Sequence, residues 1–186
     1  IGMQGGDFFT SPCVSPFLAQ CAARQLQEID GLLGRPSEFT ILEMGPGEGQ
    51  FVKDLLDEIA RRDSDLYSRL SVILVEQSPY LQTLQAKALA NLSEKTEVTW
   101  ISDLKSLKDN SVIGVFLSNE LVDAFPVHRV RMQKNGLKEI YVDYEAGSFV
   151  ELLDDPSTDE LAKCLKALGV ELPVGFTTEI NLNALD

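Results

Sequence analysis

The sequence predicts an α/β fold, the first half of a doubly wound parallel sheet followed by an antiparallel β meander. Three observations predict it. An apolar run at Phe39–Met44 meets the turn Gly45-Pro46-Gly47-Glu48-Gly49 and then an amphipathic stretch, which reads as strand, turn and helix. Leu70–Gln77 (LSVILVEQ) is a continuous apolar run ending in an acid, as expected of a parallel strand covered on both faces. After Pro126 the pattern changes to period-two alternation around Asn135-Gly136, the sign of a hairpin.

Taken in order, the first dozen residues (IGMQGGDFFTSP) are glycine-rich and then aromatic, and read as an irregular arm. Ser15 as N-cap and Pro16 at the first helical position open a helix carrying Phe17, Leu18, Cys21, Ala22, Gln25, Leu26, Ile29 and Leu33, and Gly34-Arg35-Pro36 stops it. After the first strand and its turn, Phe51, Leu55, Leu56 and Ile59 recur at helical spacing, with Lys53, Asp54, Asp57 and Glu58 opposite. Ser78-Pro79 starts a helix with Leu81, Leu84, Ala88 and Leu92, and Glu97–Ser102 and Ser111–Asn119 read as the third and fourth strands. Ala146-Gly147 turns a third meander strand, and Ser157 with Glu160 forms a capping box for a short helix through Leu168. The expected organisation is an arm and helix at 1–34, a cofactor-binding core at 35–126, and a hairpin and helix insertion at 127–186 on the substrate or partner side.

The 186 residues are 44% hydrophobic and 24% charged, ordinary for a globular protein. The net charge of −13 repels phosphate backbones and anionic lipid, so neither nucleic acid nor membrane insertion is expected, whereas a cationic segment is permitted. Three cysteines without CxxC spacing point to a reducing compartment, and to neither a disulfide framework nor a metal site. No run approaches the roughly 18 apolar residues of a membrane span. The start at Ile1 and the end in NLNALD lead to the expectation that terminal segments lie outside this sequence.

The turn carries the chemistry. Glycine tolerates positive φ and has no Cβ, so three glycines let the chain reverse sharply while a ligand approaches its backbone. The following helix then points unpaired N–H groups into the same space. The spacing Gly45-x-Gly47-x-Gly49, with Glu43 on the strand and Glu76 at the end of the next one, departs from the GxGxxG of dinucleotide folds. It fits the loop that holds the amino-acid end of S-adenosyl-L-methionine (SAM), with Glu76 taking both ribose hydroxyls. Asp103 after the third strand is either an acceptor for the adenine amino group or a helix cap. Asn119, Glu120 and Asp123 follow the fourth strand, at the end of the sheet where open α/β folds bind ligands.

Five stretches, GDFFTSPCVSPF (6–17), ILEMGPGEGQFVKDLL (41–56), VEQSPYLQTLQ (75–85), SNELVDAFPVHR (118–129) and TEINL (178–182), resemble successive signatures of the MidA-like methyltransferases. That family includes the mitochondrial protein arginine methyltransferase needed for respiratory complex I assembly. The resemblance implies a class I SAM-dependent methyltransferase fold, Rossmann-like, with inserted elements and with the later strands of the sheet beyond this sequence. It implies SAM as cofactor, a protein substrate with an arginine-containing basic segment, and a mitochondrial matrix setting if eukaryotic or a cytoplasmic one if bacterial.

A guanidinium stays protonated below a pH of about 12 and is a poor nucleophile, so a carboxylate must grip and orient it. Glu120 and Asp123 are the candidates, with Asn119 orienting. Asp7 and Thr10 offer polar contacts from an arm that could fold over the cofactor, with Phe8 and Phe9 as its lid or as plain core. His128, the single histidine, reads as structural. Two other readings compete: an assembly factor that binds SAM without turnover, and a nicotinamide-dependent oxidoreductase. The Val127–Leu153 strands could also serve a partner or a homodimer.

Overall fold

The structure, a computed structural model, describes residues 11–92 and 96–183. The chain divides into two compact units, Ile1–Leu121 and Val122–Asp186. The first contains α1 (Ser11–Val14), α2 (Phe17–Leu32), β1 (Phe39–Met44), α3 (Gln50–Arg62), α4 (Ser64–Ser68), β2 (Leu70–Val75), α5 (Pro79–Leu89), β3 (Glu97–Ile101) and β4 (Gly114–Leu117). Its four strands are all parallel, in the order β3-β2-β1-β4. That is the arrangement expected from one half of a doubly wound sheet.

Alternation within each strand places Phe39 and Ile41 beside Leu70 and Val72 on one face. Ala19, Ala23 and Leu26 of α2, Val52, Leu55, Leu56 and Ile59 of α3, and Leu89 of α5 pack there as one core. Polar groups staple its edge. Buried Asp30 at the end of α2 receives a two-pronged bond from Arg69 at 2.9 and 2.8 Å, and Arg69 also donates to the Pro36 carbonyl at 2.6 Å. The entry and exit of the α2–β1 connection are thereby tied to the start of β2.

One close approach fixes β4 against β1. Gly114 lies opposite Thr40, and a Cβ there would sit 2.0 Å from the Thr40 carbonyl oxygen, so only glycine allows the strands to meet. The expected fourth strand, Ser111–Asn119, is shorter at both ends, because the residues flanking Gly114–Leu117 are turn and loop.

The second unit contains β5 (His128–Gln133), β6 (Gly136–Glu145), β7 (Ser148–Asp154), α6 (Glu160–Ala167) and β8 (Thr177–Ile180). Its sheet is antiparallel throughout, in the order β7-β6-β5-β8, and Val130 and Ile180 pack against Leu161 and Leu165 of α6. Gln133 pairs with Gly136, so the first hairpin turns on Lys134-Asn135 and Gly136 already belongs to the strand. The second turns on Ala146-Gly147, at φ 49° and 87°, the left-handed pair of a type I′ turn.

Two expected caps differ in detail. Pro16, not Ser15, occupies the N-cap of α2, while the Ser15 hydroxyl accepts from Phe17 N–H at 3.2 Å. The Ser157–Glu160 box does not form: Asp159 is the N-cap, Glu160 pairs with Lys163, and the Ser157 N–H donates to Glu139 Oε2 at 2.7 Å. A buried carboxylate outcompetes a local cap. Glu139 also lies 2.7 Å from His128 Nδ1 and accepts from the Tyr141 hydroxyl at 3.0 Å. Burial alone would raise its pKa, yet these partners, the Ser157 N–H foremost, hold it down at about 2. His128 is thus a partner of a structural carboxylate.

Candidate cofactor-binding site

The C-terminal ends of β1 and β2, with the loop after β4, build one end of the parallel sheet. Gly45 N–H continues the ladder by donating to Val75 O at 3.1 Å, and Gly49 N–H closes the turn on Pro46 O at 2.9 Å. Gly45, Gly47 and Gly49 all have positive φ, at 69°, 57° and 84°. A Cβ on Gly47 would meet no atom of the described residues within 4 Å, so the turn is open on that side among them. On Gly45 it would lie 2.7 Å from Leu121 Cδ1, which brings the loop after β4 against the turn. Gly49 caps α3 without a side chain, and the N–H groups of Gly47 and Glu48 have no partner among the described residues. The turn therefore offers bare amides beside the positive end of a helix.

Glu43 sits just before the turn with Leu74 on one side and Leu117 on the other. It is 2% exposed, and its Oε2 has no hydrogen-bond partner among the described residues. Desolvation pushes its pKa up to about 8. Burial thus keeps this carboxyl, two residues before the turn, protonated and neutral at neutral pH.

Glu76 follows β2. Its Oε1 accepts from Ser78 N–H at 2.8 Å and its Oε2 from Gln85 Nε2 at 3.2 Å. Gln85 also donates to the Gly47 carbonyl at 2.7 Å and accepts from Trp100 Nε1 at 2.9 Å, so it ties the glycine turn to Glu76 and to β3. Sequence reading passed over Gln85 and Trp100. The legible signal was an amide standing on the same stripe as Leu81 and Leu89, four residues either way, where a polar side chain must find buried partners.

The remaining candidates divide. Asp103 is exposed and caps the short turn Leu104–Ser106, its Oδ1 accepting from Lys105 N–H at 2.9 Å. Asn119 is half-buried and Glu120 exposed, in the loop that reaches Gly45 through Leu121. Glu120 has φ 48°, a left-handed conformation uncommon for a non-glycine residue and concentrated at functional loops. Asp123 lies in the short turn Val122–Ala124, the first element of the second unit. Asp7 and Thr10 lie outside the described residues.

Strand order, a glycine turn after β1 and an acid after β2 define a Rossmann-like cofactor-binding sheet. Comparison with known proteins specifies it further. The family described as "Putative S-adenosyl-L-methionine-dependent methyltransferase" matches residues 21–186, and the chain belongs to that family. It is 28% identical to the protein arginine methyltransferase NDUFAF7 of Xenopus tropicalis, a mitochondrial protein, over 76% of this chain and 37% of the relative. The Drosophila melanogaster homologue is likewise 28% identical, over 94% of this chain and 47% of the relative. A crystal structure from Burkholderia thailandensis bound to S-adenosyl-homocysteine (SAH) superposes with a TM-score of 0.73 at 28% identity, over 99% of this chain and 46% of that one. The chain therefore spans less than half the length of these relatives.

The residues present fit the cofactor class. The open turn with its unpaired amides suits the carboxylate of an amino acid, and Glu76 keeps bonding capacity for a diol.

Proposed function

We propose that this chain carries the cofactor-binding part of a SAM-dependent protein arginine methyltransferase. The observation that carries the reading is Glu76: a carboxylate at the end of β2, held on both oxygens, bonded through Gln85 to an open glycine turn. Bound SAM supplies a methyl group on a sulfonium. The chain's residues supply position. The amides of Gly47 and Glu48 and the first turn of α3 hold the amino-acid end, Glu76 holds the ribose, and Asp103 reaches the adenine side with the oxygen its cap leaves idle.

On the acceptor side, Glu120 grips a guanidinium and orients one nitrogen, helped by Asn119, and can take the proton released on transfer. Asp123, three residues on in the sequence, is the second carboxylate proposed for that grip. Asp7 and Thr10 are proposed as further cofactor contacts on sequence grounds. The acceptor is a protein segment containing arginine, and the family resemblance points to assembly of respiratory complex I as its setting.

Mass spectrometry of a basic, arginine-containing peptide incubated with SAM and the protein tests the reading. The expected product is a mono- or dimethylated arginine, lost in Glu120→Gln and Asp123→Asn. Transfer undiminished in both variants removes their roles. SAH binding with no transfer to any arginine peptide makes the protein a cofactor-binding module instead.

A further inference from the structure

Gln85 is fully buried on α5, and its amide is used on both sides. Nε2 donates to Gly47 O at 2.7 Å and to Glu76 Oε2 at 3.2 Å, while Oε1 accepts from the Trp100 indole at 2.9 Å. We propose that Gln85 is the positioning residue that presets Glu76 for the ribosyl end of the cofactor and the glycine turn for its amino-acid end, an inference that rests on the reading of Glu76 given above.

A carboxylate accepts about four hydrogen bonds, two on each oxygen. Ser78 N–H takes one direction on Oε1 and Gln85 one on Oε2, which leaves one free on each oxygen among the described residues. Two adjacent hydroxyls require that arrangement. Without Gln85 the carboxylate is held by one backbone bond and turns about a terminal torsion with a broad, shallow profile. The second bond acts on the turn. Gly47 O and Glu48 N–H belong to one trans peptide and point in opposite directions, so anchoring the carbonyl on Gln85 aims the Glu48 N–H away from the core, where it has no partner among the described residues. Gly49 eases the approach, because a Cβ there would crowd Gln85 at 3.3 Å from both its Cα and Cγ. One side chain thereby couples the two ends of the proposed ligand.

The test compares SAH with its 2′,3′-dideoxy analogue by calorimetric titration of wild type and Gln85→Met. Wild type should prefer SAH. Gln85→Met should weaken both ligands through the loosened turn, but SAH by about tenfold or more beyond the dideoxy analogue, since only SAH also loses a preset partner for its diol. Loosened packing would instead weaken both ligands equally, and that result, or an unchanged affinity, overturns the inference while leaving Glu76 as the ribose contact. A wild type that does not distinguish the two ligands removes the ribose reading of Glu76 and this inference with it. Should Gln85→Met fail to fold, Gln85→Glu decides: it keeps the volume and the acceptor for Trp100 but faces Gly47 O and Glu76 with an oxygen. Measured against wild type at the same pH, so that Glu43 cancels, its SAH affinity should be lost near pH 8 and partly regained near pH 5, where protonation restores a donor; a deficit relative to wild type that does not vary with pH contradicts the proposal.

Discussion

Replacing Glu43 with glutamine isolates the most perturbed group at the sheet end. The carboxyl is 2% exposed between Leu74 and Leu117, one oxygen has no partner among the described residues, and its pKa rises from 4.5 to about 8. Between those values the folded protein keeps a proton that the unfolded chain has released, so stability falls as pH rises, by up to about 1.4 kcal/mol per pH unit. The full cost is on the order of 5 kcal/mol, of which about 3 kcal/mol develops between pH 5 and pH 8. Glu43→Gln keeps the shape and cannot ionise, but it buries an amide N–H₂ at a cost of about 1–3 kcal/mol. The variant should therefore be no more stable than wild type near pH 5 and more stable near pH 8. Urea denaturation of both proteins across that range measures it, because their difference cancels every other titrating group. A difference constant to within about 0.5 kcal/mol would show that Glu43 is not held neutral by the fold.

Gly114→Ala should destabilise the first unit by about 3 kcal/mol or more, since the new methyl would stand 2.0 Å from Thr40 O and only a shift of β4 relieves it; a urea midpoint near that of wild type contradicts the close approach. Gly47→Ala meets no atom but must adopt φ 57°, so a cost of about 1–2 kcal/mol is expected together with weakened SAH binding, and affinity equal to wild type would show the open side of the turn is not the ligand side. Glu139 has its pKa depressed to about 2, so it contributes stability above pH 4.5 that is lost as pH falls toward 2. Glu139→Gln should cost about 1–3 kcal/mol at neutral pH and flatten the acid side of the stability curve; an unchanged acid limb refutes the assignment.

What the sequence revealed was local. The 45–49 turn, the Ser78-Pro79 helix start and the Ala146-Gly147 hairpin each depend on residues a few positions apart, and all three form. The elements it missed take their partners from far along the chain. β8 has only four residues and is a strand because β5 pairs with it, some fifty residues away in sequence. The Ser157–Glu160 box satisfied the local rule, yet Glu139 captured the Ser157 N–H across eighteen positions. The site divides in the same way. Glu43, the glycines and Glu76 were legible as motif, whereas Gln85 gains its role only when α5 packs behind the turn and meets Gly47, 38 residues earlier.

The ends of β1 and β2, with the glycine turn and Glu76, form the proposed ligand site. Calorimetric titration of the protein with SAH, beside Glu76→Ala, tests it most directly. A saturable one-to-one isotherm, weakened about tenfold or more by the substitution, is the expected result. No binding heat with wild type, or an isotherm indifferent to Glu76, contradicts it.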